Sequence, residues 1–255
     1  MARENVAFRN NDGSRLSAVM ELPDGDPKGF ALFAHCFTCT KNLSAVRRIS
    51  QGLTEEGIGV LSFDFTGLGE SEGEFATAGF AHQTEDLIAA AGFLEQHVGK
   101  GPQLLVGHSL GGTATLYAAR RLPSVLGVAT IGSPADPAHV TKLFECDVEE
   151  IERRGEADVS MGGRALTISK CFVDDLKAHP PEEWLPELRT RLLLFHSPVD
   201  TIVDISNAQR IFMSVKHPKS FVSLDQADHL LSRPRDARFV AGVLAAWAAS
   251  FLDSN

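Results

Sequence analysis

The sequence lacks a long hydrophobic run and any cluster of basic residues. Its most apolar late segment covers residues 239–252, which is shorter than the roughly 20 residues that cross a bilayer. The first residues alternate polar and apolar side chains, without the uninterrupted apolar core of a signal peptide. Acidic residues outnumber basic ones, 33 against 24, and the formal net charge is −9. We therefore expect a cytoplasmic protein that binds neither nucleic acid nor a membrane.

Cysteine is also scarce, and the four in the chain are Cys36, Cys39, Cys146 and Cys171. Because no export signal precedes them, they are expected to be reduced thiols. Hydrophobic residues make up 44% of the chain and charged residues 22%, which is typical of a globular protein. A single domain over residues 1–255 can bury enough surface to fold without disulfides or metal. We predict one such domain, with no cofactor and no metal ion.

Short apolar segments typical of buried strands alternate with amphipathic segments typical of helices along nearly the whole chain. This alternation predicts a mostly parallel sheet with helices on both faces. The first two strands are predicted to form a hairpin around the turn at residues 10–13. The later strands are predicted within residues 29–37, 59–65, 102–109, 125–133, 191–197 and 220–226, and the helices within residues 43–57, 84–100, 112–124, 204–217 and 237–252.

Residues 134–187 depart from this alternation of strands and helices, because they separate two predicted strands by too much chain for a simple crossover. We predict that they form a small cap inserted after the sixth strand. Residues 147–154 and 171–179 are typical of helices. Two alternating arms around Gly162 and Gly163 predict a hairpin between those helices.

The strongest chemical motif is Gly-His-Ser-Leu-Gly at residues 107–111, which joins a buried strand directly to a helix. This context is that of a nucleophile elbow, in which a strained turn exposes the serine hydroxyl at the edge of the sheet. Gly107 and Gly111 are small enough to let the strand and the helix approach each other. Ser109 is therefore the predicted nucleophile, and the amide of Leu110 is a predicted oxyanion donor.

A serine nucleophile needs an acid and a histidine further along the chain, in that order. Asp200 follows the seventh predicted strand, and His229 follows the eighth. We predict that His229 accepts the proton of Ser109 and that Asp200 orients the imidazole. Asp204 is the rival acid, although it also suits the cap of the next helix. His196 is expected to pack near the site, and Asp228 is expected to point away from His229.

These motifs, in this order over nearly the whole chain, resemble the α/β-hydrolase family. The resemblance implies an eight-stranded, mostly parallel sheet flanked by helices. The segment after the fourth strand is similar to a turn of that family, with Asp64, Gly67, Gly69, Ser71 and Gly73 in place and Thr66 where an arginine is common. The turn after the third strand is similar to the family's oxyanion turn. The resemblance implies that His35 occupies the position of its histidine, Cys36 that of a glycine, and Phe37 that of the second amide donor.

Cys36 and Cys39 form a Cys-x-x-C pair within this turn, and their role admits three interpretations. A structural zinc site lacks a second pair, since Cys146 and Cys171 are far apart in sequence. A redox pair is compatible with the motif, although the next helix begins several residues later. The interpretation we favour is that both are buried thiols that pack the turn. The segment also resembles the hydrolase half of bacterial proteins fused to an OsmC-like peroxidase domain, which implies a redox setting without establishing it.

The predicted function is a serine esterase acting on carboxylic esters of small to medium acyl groups, with thioesters as an alternative. His35, Cys36 and His108 are expected to lie at the rim of the site. Four residues could line the acyl pocket, although core packing is the simpler role for each: Phe37, Phe144, Phe172 and Trp184. The competing hypotheses are a thiol-based redox protein that uses Cys36 and Cys39 and a catalytically silent ligand-binding relative. A homodimer is compatible with the family resemblance.

Overall fold

The structure is a computed structural model that describes residues 1–161 and 164–252. The strands in that part of the chain are β1 (Ala2–Arg9), β2 (Arg15–Leu22), β3 (Gly29–Ala34), β4 (Ile58–Phe63), β5 (Leu104–His108), β6 (Gly127–Ile131), β7 (Glu156–Met161), β8 (Arg164–Ser169), β9 (Arg191–His196) and β10 (Lys219–Ser223). The α-helices are α1 (Ser44–Glu55), α2 (Phe80–Val98), α3 (Leu110–Ala118), α4 (Val148–Arg154), α5 (Lys170–Lys177), α6 (Ser206–Ser214) and α7 (Pro234–Leu252).

Eight of these strands form one sheet in the order β1-β2-β4-β3-β5-β6-β9-β10. The hairpin of β1 and β2 is antiparallel, and β2 also runs antiparallel to β4. From β4 to β10, every neighbouring pair of strands is parallel. The predicted eight-stranded, mostly parallel sheet is therefore confirmed. Because the carboxyl ends of parallel strands meet at one edge, the residues that follow β3, β5, β6, β9 and β10 converge there.

The strands of the sheet centre are apolar throughout because helices cover both faces. In β3, Phe30 and Leu32 belong to the core that contains residues of α2 and α3. Ala31 and Phe33 belong to the core that contains residues of α1 and α7. This alternation follows from the two-residue period of a strand, which points successive side chains to opposite faces.

The helix boundaries differ from the predicted ones by a few residues. α2 begins at Phe80, four positions before the predicted start. α3 ends at Ala118, and a 3-10 turn over Ala119–Arg121 replaces the predicted last turn before Pro123. Proline disfavours helical backbone in the residue before it, which accounts for the early end.

The chain between β6 and β9 contains a 3-10 helical segment (Pro137–Asp147), α4, β7, β8 and α5. β7 and β8 form a separate antiparallel sheet, as the two predicted arms require. The predicted Gly162-Gly163 turn lies outside the described residues. Phe172 on α5 packs against Phe37 and Phe75, with ring centroids 5.5 and 5.6 Å apart. This cluster places α5 against the turn that follows β3.

Candidate active site

Ser109 lies between β5 and α3, at the position predicted for a nucleophile elbow. Its backbone has φ 55° and ψ −130°, a conformation that L-residues rarely adopt. The Ser109 amide donates to the carbonyl oxygen of Ile131 at 2.9 Å, which ties this turn to β6. A side chain at Gly111 would collide with the carbonyl oxygens of His35 and Ala34. A glycine at position 111 therefore lets the turn after β3 approach the nucleophile elbow.

His229 and Asp200 meet at the same edge of the sheet. His229 Nδ1 donates to Asp200 Oδ2 at 2.8 Å, and both side chains are buried, with 8% and 2% exposed. Asp200 Oδ1 accepts hydrogen bonds from the amides of Ile202 at 2.9 Å and Val203 at 3.0 Å. Burial raises the pKa of Asp200, but the hydrogen bond and charge of His229, together with the amides of Val203 and Ile202, outweigh it and hold this pKa below its usual range. The carboxylate is therefore ionised and fixed in position.

Gly132, which follows β6, is a residue that the sequence analysis missed. Its φ is +56°, and a Cβ there would lie 3.2 Å from Asp200 Oδ2 and 3.3 Å from His229 Nδ1. A glycine at this position leaves room for the hydrogen bond between the two side chains. The Gly-Ser pair at the end of the sixth predicted strand carried no signal of this contact, because the contact depends on segments far apart in sequence.

The structure also places the other residues considered near the acid and the histidine. Asp204 Oδ1 accepts from the amide of Ser206 at 2.8 Å, at the start of α6, and Asp228 Oδ1 accepts from the amide of Ser232 at 2.8 Å. His196 is buried, and its Nε2 donates to the carbonyl oxygen of Val203 at 2.8 Å. It thereby supports the loop that carries Asp200. Of Asp200 and Asp204, the structure brings Asp200 to His229.

The ring of His108 packs beside the ring of His229. Its Nε2 donates to the carbonyl oxygen of His229 at 2.7 Å, and the two ring centroids are 5.0 Å apart. Burial lowers the pKa of His108 to about 3, so the ring is neutral. His108 thus supports the backbone of the loop that carries His229.

The turn after β3 contains His35, Cys36 and Phe37, as predicted. His35 is buried, its Nδ1 donates to the Cys36 carbonyl oxygen at 2.8 Å, and its Nε2 accepts from the Phe65 amide at 3.4 Å. Burial lowers the pKa of His35, which keeps this ring neutral. The ring of Phe37 packs between Phe75 and Phe172. These contacts fix the turn that carries the Phe37 amide.

A buried ion pair ties the same turn to the loop after β4. Lys41 Nζ lies 2.5 Å from Asp64 Oδ2 and 2.7 Å from Glu70 Oε2, and the Lys41 amide donates to Asp64 Oδ1 at 2.7 Å. Lys41 is 3% exposed and Asp64 is fully buried. Lys41 lies two residues after Cys39 of the Cys-x-x-C pair. Its partner Asp64 was not apparent from the sequence because the ion pair joins two different turns.

Two of the four cysteines depart from the prediction of reduced thiols. Cys36 and Cys39 form a disulfide in this structure, with 5.2 Å between their Cα atoms, while Cys146 and Cys171 are free and exposed. The Cys39 amide donates to the Cys36 carbonyl oxygen at 3.1 Å, which defines a tight turn around Phe37 and Thr38. Such a turn brings the two Cα atoms within the range that a disulfide requires. The interpretation of two packing thiols is wrong for this structure, and the redox interpretation stays open.

A cavity of about 530 Å³ opens over Ser109 and His229. Its lining residues are Cys36, Phe37, Thr38, Cys39, Thr40, Asn42, Leu43, Ser109, Leu143, Ser160, Met161, Ile202, His229 and Leu230. Phe144, Phe172 and Trp184 are buried in the core and do not belong to this lining. Phe37 is the one of the four considered residues that does line the cavity. The other apolar lining residues were not singled out by sequence patterns, because they reach the cavity from separate loops and from β7.

Two further properties concern the part of the chain that the structure describes. Within residues 1–161 and 164–252, no group of three or more His, Cys, Asp or Glu side chains is arranged to hold a metal ion. No helix among those residues has the length and apolar character needed to span a membrane.

The fold, with Ser109 and His229 lining one cavity and His229 bonded to Asp200, can be compared with known proteins. A family model described as serine aminopeptidase, S33, matches residues 25–146. The esterase domain of a protein from Rhodothermus marinus is 49% identical, with a TM-score of 0.80 over 99% of this chain and 100% of that domain. Alpha/beta hydrolase domain-containing protein 10 from mouse has a TM-score of 0.79 at 21% identity, over 97% and 99% of the two chains. The chain therefore belongs to the α/β-hydrolase family.

Curated relatives match smaller parts of the chain. Palmitoyl-protein thioesterase ABHD10, mitochondrial, from Rattus norvegicus is 35% identical over 104 residues, which is 39% of this chain and 33% of that protein. The match thus spans about a third of the rat protein's length. Monoacylglycerol lipase from Mycolicibacterium smegmatis is 25% identical over 138 residues, 54% of this chain and 49% of that protein. The resemblance to fusions with an OsmC-like domain stays a prediction.

Proposed function

We propose that the chain is a serine hydrolase that cleaves carboxylic esters of small to medium acyl groups through an acyl-enzyme. The observation that carries this proposal is the 2.8 Å hydrogen bond from His229 to a buried, ionised Asp200, because His229 lines the same cavity as Ser109. A histidine held this way has its other ring nitrogen free to accept a proton. An elbow serine in the same cavity is the group that would supply that proton.

In the proposed mechanism, Ser109 Oγ attacks the ester carbonyl as His229 Nε2 takes its proton. The amides of Phe37 and Leu110 stabilise the oxyanion, and His229 then protonates the leaving alkoxide. Asp200 stabilises the imidazolium that forms between these two steps. A water molecule that transfers its proton to His229 attacks the acyl-enzyme, and His229 then returns that proton to Ser109 Oγ as the bond to the acyl group breaks and the acid is released. Leu110 is suited to its role because it is the first residue of α3, where amides have no partner within the helix.

The cavity favours a neutral acyl group. None of its lining side chains that the structure describes is Asp, Glu, Lys or Arg. Leu43, Leu143, Met161, Ile202 and Leu230 supply an apolar wall. Each methylene group that such a wall buries contributes about 0.8 kcal/mol, or roughly fourfold in binding. An aminopeptidase substrate would bring a charged ammonium group into this wall without a carboxylate to pair with it.

Thioesters are the second substrate class that we propose. They are favoured by the 35% identity over 104 residues with a relative named as a palmitoyl-protein thioesterase. The same serine, histidine and amides would serve, because attack on a thioester passes through the same kind of tetrahedral oxyanion.

The test measures kcat/KM for 4-nitrophenyl esters from acetate to decanoate and for the matching thiocholine esters. We expect kcat/KM to rise by about fourfold per methylene group over the first few carbons and then to level off when the chain outgrows the cavity. Ser109→Ala is expected to lower kcat by up to about 10⁶-fold. Ser250→Ala, an exposed serine on α7, is the matched control and should leave both constants unchanged.

A fluorophosphonate reagent followed by intact-mass measurement gives a second readout that does not depend on the choice of ester. We expect one adduct on the wild type and on the Cys36→Ser/Cys39→Ser variant, and none on Ser109→Ala. Absence of any adduct, together with no turnover of either ester series, would reject the proposed function.

A further inference from the structure

The Cys36–Cys39 disulfide lies in the wall of the cavity that contains Ser109 and His229. The two cysteines bracket Phe37 and Thr38, so the disulfide closes the turn whose backbone carries the proposed oxyanion amide. Cys36 is only 5% exposed, whereas Cys39 is partly exposed towards the cavity. The disulfide therefore lies beside the proposed oxyanion amide, but no step of the proposed mechanism uses its sulfur atoms.

The position of the Phe37 amide depends on the conformation of this turn. On one side the aromatic ring of Phe37 is packed against Phe75 and Phe172. On the other side, the closing contacts are the disulfide and the hydrogen bond from the Cys39 amide to the Cys36 carbonyl oxygen. Opening the disulfide removes the covalent closure across the turn, so that between Cys36 and Cys39 only the hydrogen bond from the Cys39 amide remains. Because an oxyanion donor acts only when it is held in place, a looser turn weakens it.

We propose that the Cys36–Cys39 disulfide is a reversible thiol–disulfide exchange site for small dithiols, and that its reduction lowers the rate of acyl transfer at Ser109. The effect on rate rests on the proposed function, whereas the exchange itself does not. The cavity of about 530 Å³, which both cysteines line, is large enough to give a small dithiol access to the disulfide.

The exchange step is balanced in electrons and protons. A thiolate of the dithiol attacks the Sγ of Cys39, the more exposed of the two residues, and the bond to Cys36 Sγ breaks. Cys36 leaves as a thiolate and takes up a proton, and Cys39 is left in a mixed disulfide. The second thiol of the reagent then attacks the reagent sulfur that is bonded to Cys39 Sγ. This closes the reagent into a ring and releases Cys39 as a thiol. In total, the protein gains two electrons and two protons, and the dithiol becomes a cyclic disulfide.

The experiment begins with protein purified without reductant and denatured for a thiol count. We expect two thiols, from Cys146 and Cys171, and four after treatment with dithiothreitol. The reductant is removed by anaerobic desalting before the assay, since thiols cleave nitrophenyl esters themselves. With 4-nitrophenyl butyrate, reduction is expected to lower kcat between about 5-fold and 100-fold, because complete loss of an oxyanion donor costs about 10² to 10³. KM should change by less than about twofold, since the donor acts in the transition state.

The matched control is Cys146→Ser/Cys171→Ser, which removes the two exposed thiols and should respond to reduction as the wild type does. Cys36→Ser/Cys39→Ser is expected to have the low kcat of the reduced protein and to be insensitive to dithiothreitol. Reoxidation of the wild type with oxidised glutathione should restore kcat. A fluorophosphonate adduct on Ser109 should slow reduction of the disulfide several-fold, because it fills the cavity through which the dithiol enters.

Four thiols in the protein as purified, or full reduction without a change in kcat, would overturn the proposal. An equal rate of reduction with and without the adduct would overturn the route through the cavity. A protein that exchanges its disulfide but hydrolyses no ester would reject the proposed function and the rate effect with it. The exchange site would still stand in that case, because the thiol count requires no turnover.

Discussion

Replacing Lys41 by methionine removes the positive charge that ties the oxyanion turn to the loop after β4. The ammonium group contacts Asp64 and Glu70, and both Lys41 and Asp64 are almost completely buried. Methionine keeps most of the length and apolar surface of lysine. The substitution therefore tests the charge more than the packing.

The expected cost follows from the burial of the partner. Removing one member of a buried ion pair costs about 3 to 5 kcal/mol, because it leaves the other charge without compensation. Asp64 retains hydrogen bonds from the amides of Lys41 at 2.7 Å and Glu70 at 3.1 Å, which places the expected loss at the lower end, about 3 kcal/mol. We also expect kcat to fall about tenfold, because Phe37 lies only four residues before Lys41 and its amide loses part of its support.

Urea unfolding followed by circular dichroism measures the stability, and turnover of 4-nitrophenyl butyrate measures the activity. Lys100→Met, at an exposed lysine, is the control and should change the unfolding free energy by less than about 0.5 kcal/mol. The double variant Lys41→Met/Asp64→Asn should be more stable than the sum of the single losses predicts, since the unpaired carboxylate is gone. A Lys41→Met protein within about 1 kcal/mol of wild type and with unchanged kcat would refute the reasoning.

Three further predictions concern residues around the histidine. Asp200→Asn should lower kcat by about 10⁴, whereas Asp204→Asn, which preserves the acceptor for the Ser206 amide, should stay within about twofold of wild type in the same assay. Gly132→Ala should lose about 1 to 2 kcal/mol and most of its kcat, while Gly99→Ala, with φ +75° and open space around it, should lose stability alone. Burial holds the pKa of His108 at about 3, so unfolding takes up a proton below about pH 6.5. His108 should therefore contribute a fall in stability as the pH drops from about 6.5 towards 3, by at most about 1.4 kcal/mol per pH unit, and His108→Gln should remove this part of the slope in urea titrations.

The fold could be predicted from the sequence because its signals are local. Each buried strand is a short apolar segment, and the two arms of the hairpin β7–β8 alternate visibly. The positions of Ser109, Asp200 and His229 follow from the same pattern, since each comes just after a predicted strand and parallel strands share one edge. Their separation along the chain did not matter, because the sheet topology brings them together.

Contacts between loops could not be predicted in this way. The ion pair of Lys41 with Asp64, the space that Gly132 leaves beside the histidine, and the apolar lining of the cavity each depend on two segments whose approach no single pattern encodes. The disulfide was missed for a different reason. The absence of an export signal predicts reduced thiols in general, but it does not describe a turn that holds two particular cysteines at disulfide distance.

The two amides of the proposed oxyanion hole are therefore held in place by different kinds of contact. The Leu110 amide is fixed by local geometry, because it opens α3 directly after the strained backbone of Ser109. The Phe37 amide is fixed by contacts from elsewhere: aromatic rings, a buried ion pair nearby in the chain and a disulfide across the turn. A donor that belongs to the nucleophile's own helix cannot be loosened without unfolding that helix. The Phe37 amide depends on contacts that can be broken separately. A change of redox state could therefore weaken this donor while the serine, the histidine and the aspartate stay in place.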